Sequence, residues 1–112
     1  MAVGGGSVID TAKGVRMGIS QNTHDIESLM GCEVLTAGRH IPFLAVPTTA
    51  GTGSEVTPVA VISNPQKQVK QEYLSAHLLP DAAILDLRMT MTLPPKVTAS
   101  TGIDALCHAI ES

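Results

Sequence analysis

Three groups of residues in this chain have the types and spacing to do chemistry. The first is Gly4-Gly5-Gly6-Ser7 with Asp10 three residues further on. Glycines let a backbone approach a ligand closely, and a helix amino terminus offers unpaired amides to an anion, so a pyrophosphate is the natural occupant. The run departs from G-x-G-x-x-G because Ile9 holds the third glycine position, and a plain strand-to-helix turn explains it equally well. The second is Pro47-Thr48-Thr49-Ala50-Gly51-Thr52-Gly53-Ser54-Glu55-Val56-Thr57, a loop of hydroxyls and glycines after an apolar run. Beyond the carboxyl end of a buried strand, such groups suit phosphate, ribose or a carboxamide. No lysine follows Gly53, so this is not a Walker loop. The third is Asp104 with His108. A helix would put carboxylate and imidazole on one face, where they can share a divalent metal. The plainer alternatives are a surface Asp–His pair, or a helix cap at Thr101-x-x-Asp104. Cys107 lies about 100° away from His108 on the wheel and is expected to pack.

The elements that must position these groups follow from the local pattern. Ala2-Val3 reads as the end of a strand whose beginning is missing. Val8 to about Gly18 is helical, with Val8, Ile9, Ala12, Val15 and Ile19 as its apolar face. Ser7 is the expected N-cap and Asp10 its capping-box partner. His24 to Met30 is expected to form a short helix ended by Gly31, and Thr36 to His40 a loop. Residues 41–47 form a short buried strand stopped by proline. Residues 59–62 form a second strand, and 82–86 a third. Gln66 to Glu72 reads as an exposed charged stretch. Residues 90–95 lead into a helix over 96–112. Strands alternating with helices predict an α/β fold with buried parallel strands.

Composition bounds the class of function. The chain has 112 residues, 44% hydrophobic and 15% charged, with a net charge of −3. The apolar content excludes a disordered chain, and the acidic balance argues against a nucleic-acid partner. No apolar run approaches the roughly 18 residues of a membrane span. Cys32 and Cys107 are far apart and form no CxxC, which fits a reducing, cytoplasmic setting. With one Tyr, one Phe and no Trp, the core is expected to rest on Val, Leu, Ile and Ala. Met89 and Met91 read as packing residues. His24, His40 and His77 are isolated and read as surface residues, as do Lys67 and Lys70, and Glu55 as a local cap or pair.

Taken in order, GGGSxxD at 4–10, PTTAGTGSEVT at 47–57, LLPDAAILD at 78–86, LPP at 93–95 and TGIDALCHAIES at 101–112 resemble the iron-containing (group III) alcohol dehydrogenase family. The resemblance runs along essentially the whole chain. It implies a partial Rossmann-like dinucleotide-binding domain over 1–92. After it, 93–112 would begin an all-α metal-binding domain, the full length having a dehydroquinate synthase-like architecture. By position it implies cofactor contacts at Gly5, Gly6, Ser7, Asp10, Thr48, Thr49, Thr52, Ser54, Val61 and Lys70. Asp104 and His108 would be two of four metal ligands, the other two being downstream histidines. The cofactor would be NAD or NADP and the metal Fe²⁺, with Zn²⁺ also accepted by such a site. The implied activity of the full-length protein is hydride transfer between an alcohol, or its aldehyde or ketone, and the nicotinamide. A small-molecule substrate is expected, with no nucleic acid and no membrane, and a homo-oligomer is compatible. The competing expectation is a non-catalytic truncated chain with at most weak nucleotide binding. A lyase related to dehydroquinate synthase is a third, less close to these motifs.

Overall fold

Ala2–Gly4 is extended and forms strand β1, which leads through Gly5 directly into helix α1, Gly6–Ser20. The computed structural model describes residues 1–31 and 38–111. Cys32 and the start of the expected loop at Thr36 lie outside them. Strand β2 is Leu44–Pro47, β3 Val59–Asn64, β4 Val69–Leu74 and β5 Ala82–Ala83, and helix α2 is Pro95–Glu111. Short 3-10 turns occupy Glu27–Leu29, Ser54–Val56, Ala76–Leu78 and Leu87–Met89. The fold is mixed α/β. β1, β2 and β5 form a parallel sheet in the order β1-β2-β5, with Ala2 opposite Ala45 and Ala45 opposite Ala83.

The expected all-parallel arrangement holds only for that sheet. β3 pairs with β4 in an antiparallel hairpin, Val59 opposite Leu74 and Asn64 opposite Val69. The stretch expected to be a solvated run thus contains a strand. Gln71 and Tyr73 point inward while Lys70, Glu72 and Leu74 are exposed, the period-two alternation of a half-buried strand. The turn between the strands is tied by the Lys67 amide donating to Asn64 Oδ1 at 3.2 Å, and Gln68 adopts a left-handed φ of 53°.

α1 lies between the two sheets, and this changes which face is buried. Ile9 packs with Ala2, Phe43 and Ala45, while Met17 packs with Leu29, Ala60, Tyr73 and Leu78. The buried face is Ile9, Lys13, Gly14, Met17 and Gly18. Val8, Val15 and Ile19, expected inside, are exposed. Gly14 sits where an added Cβ would meet Ile62 Cδ1, so the glycine lets the hairpin approach. The helix ends where Asn22 turns to a left-handed φ of 53°. The single Tyr and single Phe are both buried, one in each core cluster. The core therefore does not rest on aliphatic residues alone, since burying a ring or large aliphatic chain contributes about 1.5–3 kcal/mol.

Other expectations also shift. Residues 41–43 precede β2 rather than belong to it, and only Ala82–Ala83 of the third expected strand is paired. The short helix at His24 to Met30 reduces to the turn Glu27–Leu29. Cys107, Met89 and Met91 are exposed, not packed. No residue of α2 is buried, Cys107 included. His24, His40 and His77 are exposed as expected.

Candidate functional site

The glycine turn and the hydroxyl loop meet at the carboxyl ends of β1 and β2. Parallel pairing sets Gly4 opposite Pro47, and the Thr48 amide donates to the Gly4 carbonyl at 3.0 Å. The α1 cap is Gly5, not Ser7: the Val8 and Ile9 amides donate to its carbonyl at 3.0 and 3.1 Å. Ser7 is inside the first turn because Gly5, extended at φ −76° and ψ −176°, is the last non-helical residue and its carbonyl already accepts the first helical bonds. The amides of Gly6 and Ser7 precede these first bonds, and the first turn carries no acidic residue. Such a terminus keeps its full attraction for an anion. A Cβ on Gly5 would lie 3.1 Å from Thr49 Oγ1, and one on Gly6 2.8 Å from Thr52 Oγ1. Close approach of the two loops therefore requires these glycines.

Asp10 fastens the loop and the hairpin to the helix. It is no capping partner; its Oδ1 accepts from Ser54 Oγ at 2.5 Å and its Oδ2 from the Val61 amide at 3.1 Å. Gly53, at a φ of +63° that side chains rarely adopt, lets the loop turn into Ser54–Val56, and the Ser54 amide donates to Thr52 Oγ1 at 3.3 Å. Thr48, Thr49, Thr52, Ser54, Asp10 and Val61 are thus brought around the turn. Lys70 is not: it pairs with Ser63 further along the hairpin and is exposed, although it shares the outer face with Val61.

A residue that sequence reasoning passed over lies behind Asp10. Lys13 is fully buried, its Nζ donating to the carbonyls of Thr57 at 2.9 Å and Val59 at 2.5 Å and standing 3.7 Å from Asp10 Oδ1. Burial pushes its pKa below the ordinary lysine value, opposed by the charges of Asp10 and Glu55. Its one sequence signal is the i, i+3 spacing from Asp10. Beyond the loop, a cleft of about 340 Å³ is bounded by Pro47, Thr49, Gly51, Glu55, Leu85 and Leu87. The leucines supply an apolar wall that motif reading had not assigned.

α2 meets the hydroxyl loop at Gly51, where an added Cβ would strike the Thr101 carbonyl. Thr101 is not a cap; its hydroxyl donates to the Val97 carbonyl at 2.9 Å inside the helix. One turn on, Asp104 Oδ1 faces His108 Nε2 at 3.9 Å. A carboxylate and an imidazole are donors that a divalent transition metal accepts, and this pair would supply two of its ligands. Among the described residues no group of three or more such side chains gathers. No helix of the described residues is long and apolar enough to cross a membrane.

A strand, a glycine turn, a helix and a hydroxyl loop set beside a parallel strand define an α/β chain built around a helix terminus. Residues 1–87 match the family model for iron-containing alcohol dehydrogenase, and the chain belongs to that family. It is 48% identical over 112 residues to the probable alcohol dehydrogenase EutG of Salmonella typhimurium, and 43% identical over 113 residues to the lactaldehyde reductase of Escherichia coli. The matches take in 100% and 99% of this chain and 28% and 29% of those proteins. The crystal structure of 1,3-propanediol oxidoreductase superposes with a TM-score of 0.89 at 41% identity, covering 96% of this chain and 28% of that one. The sulfoacetaldehyde reductase of Bifidobacterium kashiwanohense, solved in complex with NAD+, gives 0.87 at 43% identity, covering 98% and 29%. The chain thus spans less than a third of the length of these relatives.

Proposed function

We propose that this chain is the cofactor-binding segment, with the start of the metal-binding segment, of a cytoplasmic nicotinamide-dependent alcohol dehydrogenase of family length. The observation that carries the reading is a convergence. Gly5 and Gly6 close on Thr49 and Thr52, and the same loop touches α2 at Thr101, one turn before Asp104. The amides of Gly6 and Ser7 bind the pyrophosphate. Thr48, Thr49, Thr52 and Ser54 orient the rest of the cofactor, with Asp10 beside the nicotinamide end, Val61 lining the same groove, and Lys70 the outlying contact near the ribose. Asp104 and His108 hold two positions on Fe²⁺, or on Zn²⁺. When bound, the nicotinamide supplies hydride chemistry and the metal Lewis acidity toward the substrate oxygen. The substrate is a small alcohol or its aldehyde, as the names of the relatives suggest, and NAD or NADP serves as the other reactant.

The domain boundary is placed between residues 92 and 93, ahead of α2. Two ligands on an exposed helix make a loose metal site, so the 112 residues by themselves bind nucleotide weakly at most and do not turn over alcohol. The test is His108→Ala in the natural-length protein, with metal content, cofactor affinity and alcohol oxidation measured together. Metal and turnover are expected to vanish while cofactor affinity stays. Normal activity in that variant would overturn the ligand assignment.

A further inference from the structure

Lys13 is a buried charge that none of the roles above uses. It is fully buried, and its ammonium faces three oxygens. Its Nζ donates to the carbonyls on either side of Pro58, 44 and 46 residues away in sequence, and stands 3.7 Å from Asp10 Oδ1. The third carbonyl of this stretch, that of Pro58, accepts the Ser75 amide at 3.0 Å. The point where the hydroxyl loop becomes β3 is therefore held by one ammonium on the inside and by the hairpin partner on the outside. An apolar chain of the same length would take these donors from two part-buried carbonyls, and a buried unpaired polar group is costly. Asp10 in turn holds Ser54 Oγ and the Val61 amide.

We propose that Lys13 is a positioning residue for the nicotinamide cofactor. Its ammonium fixes the Asp10 carboxylate and the Thr57–Val59 backbone in one geometry, so that the hydroxyl loop closes on the glycine turn at the correct distance. The role rests on the cofactor reading of that turn. Lys13 acts through Asp10 and the loop and touches no reacting atom. Charged groups near it are few. Asp10 lies on its own helix and Glu55 on the Ser54–Val56 turn; β1, β2 and β3 carry no titratable side chain, and His77 packs near the far end of α1. Burial lowers the proton affinity of the ammonium, and the charges of Asp10 and Glu55 sustain it. Alkaline pH should therefore neutralise Lys13 before ordinary lysines, release Asp10, and loosen the loop.

The test is NADH binding across pH in the natural-length protein, followed by the fluorescence of the reduced nicotinamide. For the unaltered protein, affinity should hold through neutral pH and fall on the alkaline side. Lys13→Met should weaken NADH by about ten- to a hundredfold at neutral pH, the scale of loss when the partner behind a direct contact is removed, and should flatten the alkaline fall. Lys13→Arg, which keeps its proton throughout, should restore part of the affinity and also lack the fall. If neither variant folds, Glu55→Gln serves: losing that charge should move the alkaline fall to lower pH. NADH affinity unchanged in Lys13→Met, or an alkaline fall that Lys13→Arg and Glu55→Gln both leave in place, overturns the role alone. An unaltered protein that binds neither NADH nor NADPH overturns the cofactor reading, and the role with it.

Discussion

Keeping a lysine ammonium out of water is unfavourable, and Lys13 keeps one at 0% exposure. The consequence for stability has a definite sign. Burial pushes its pKa below the ordinary value of 10.5, so between that lowered value and 10.5 the unfolded chain binds more protons than the folded one. Stability from this group therefore rises with pH through that window. Denaturation of the unaltered protein and of Lys13→Met at increasing alkaline pH should show the unaltered protein gaining on the variant; a constant difference would contradict the buried ammonium. The sign opposes the fall expected for cofactor binding, so the two effects separate in a single pH series. At this scale the sequence was informative where partners are local. Gly5 and Gly6 stood out because turn and helix start fall within a few positions; Asp10 stood out too, but its local capping role gave way to partners 44 and 51 residues away. Lys13 did not, because its acceptors are carbonyls dozens of residues away and carry no side-chain signature.

Among the elements, α1 was legible as a helix but its buried face was not. A helix packed on one side shows a single apolar stripe; α1 packs on two sheets, and its inward positions include Lys13, Gly14 and Gly18. β4 was hidden for the opposite reason. Its inward residues are Gln71 and Tyr73, so the polar run Lys70-Gln71-Glu72 masks the alternation. Strands β1 and β2 were easier, since an apolar run bounded by Gly or Pro has few other uses. The hairpin is held to α1 chiefly at Tyr73, fully buried beside Met17, Leu29, Ala60 and Leu78. Truncation to Tyr73→Ala should lower unfolding free energy by about 3–5 kcal/mol, read from denaturant midpoints. Desolvation, with the charges of Glu27 and Asp25, raises the phenol above its ordinary 10.0. Its contribution is thus whole below that value and is lost as pH climbs through the raised one. Tyr73→Phe should remove that alkaline loss; if it persists undiminished, the phenol is not its source.

At the scale of the molecule, the chain exposes more surface than its size requires. Its accessible area is 7384 Å², against about 5,800 Å² expected for a compact domain of this mass. The radius of gyration is 14.4 Å, against about 13 Å for a chain of this length. The excess is concentrated on identifiable faces. Val8, Val15 and Ile19 line the outer side of α1, and Ile103, Leu106 and Ile110 are exposed along α2, which buries none of its residues. Contiguous apolar faces of this kind mark surfaces that other protein covers. The relatives, more than three times as long, have the chain to cover them. The 112 residues made alone should therefore bind a hydrophobic dye strongly, expose α2 to rapid amide exchange, and self-associate as concentration rises. The same residues within a protein of family length should do none of these. A monomeric, dye-silent 112-residue chain with a protected α2 would mean that α2 is stabilised by this segment itself, and that the Asp104–His108 pair sits on a helix already in place before the rest of the protein is added.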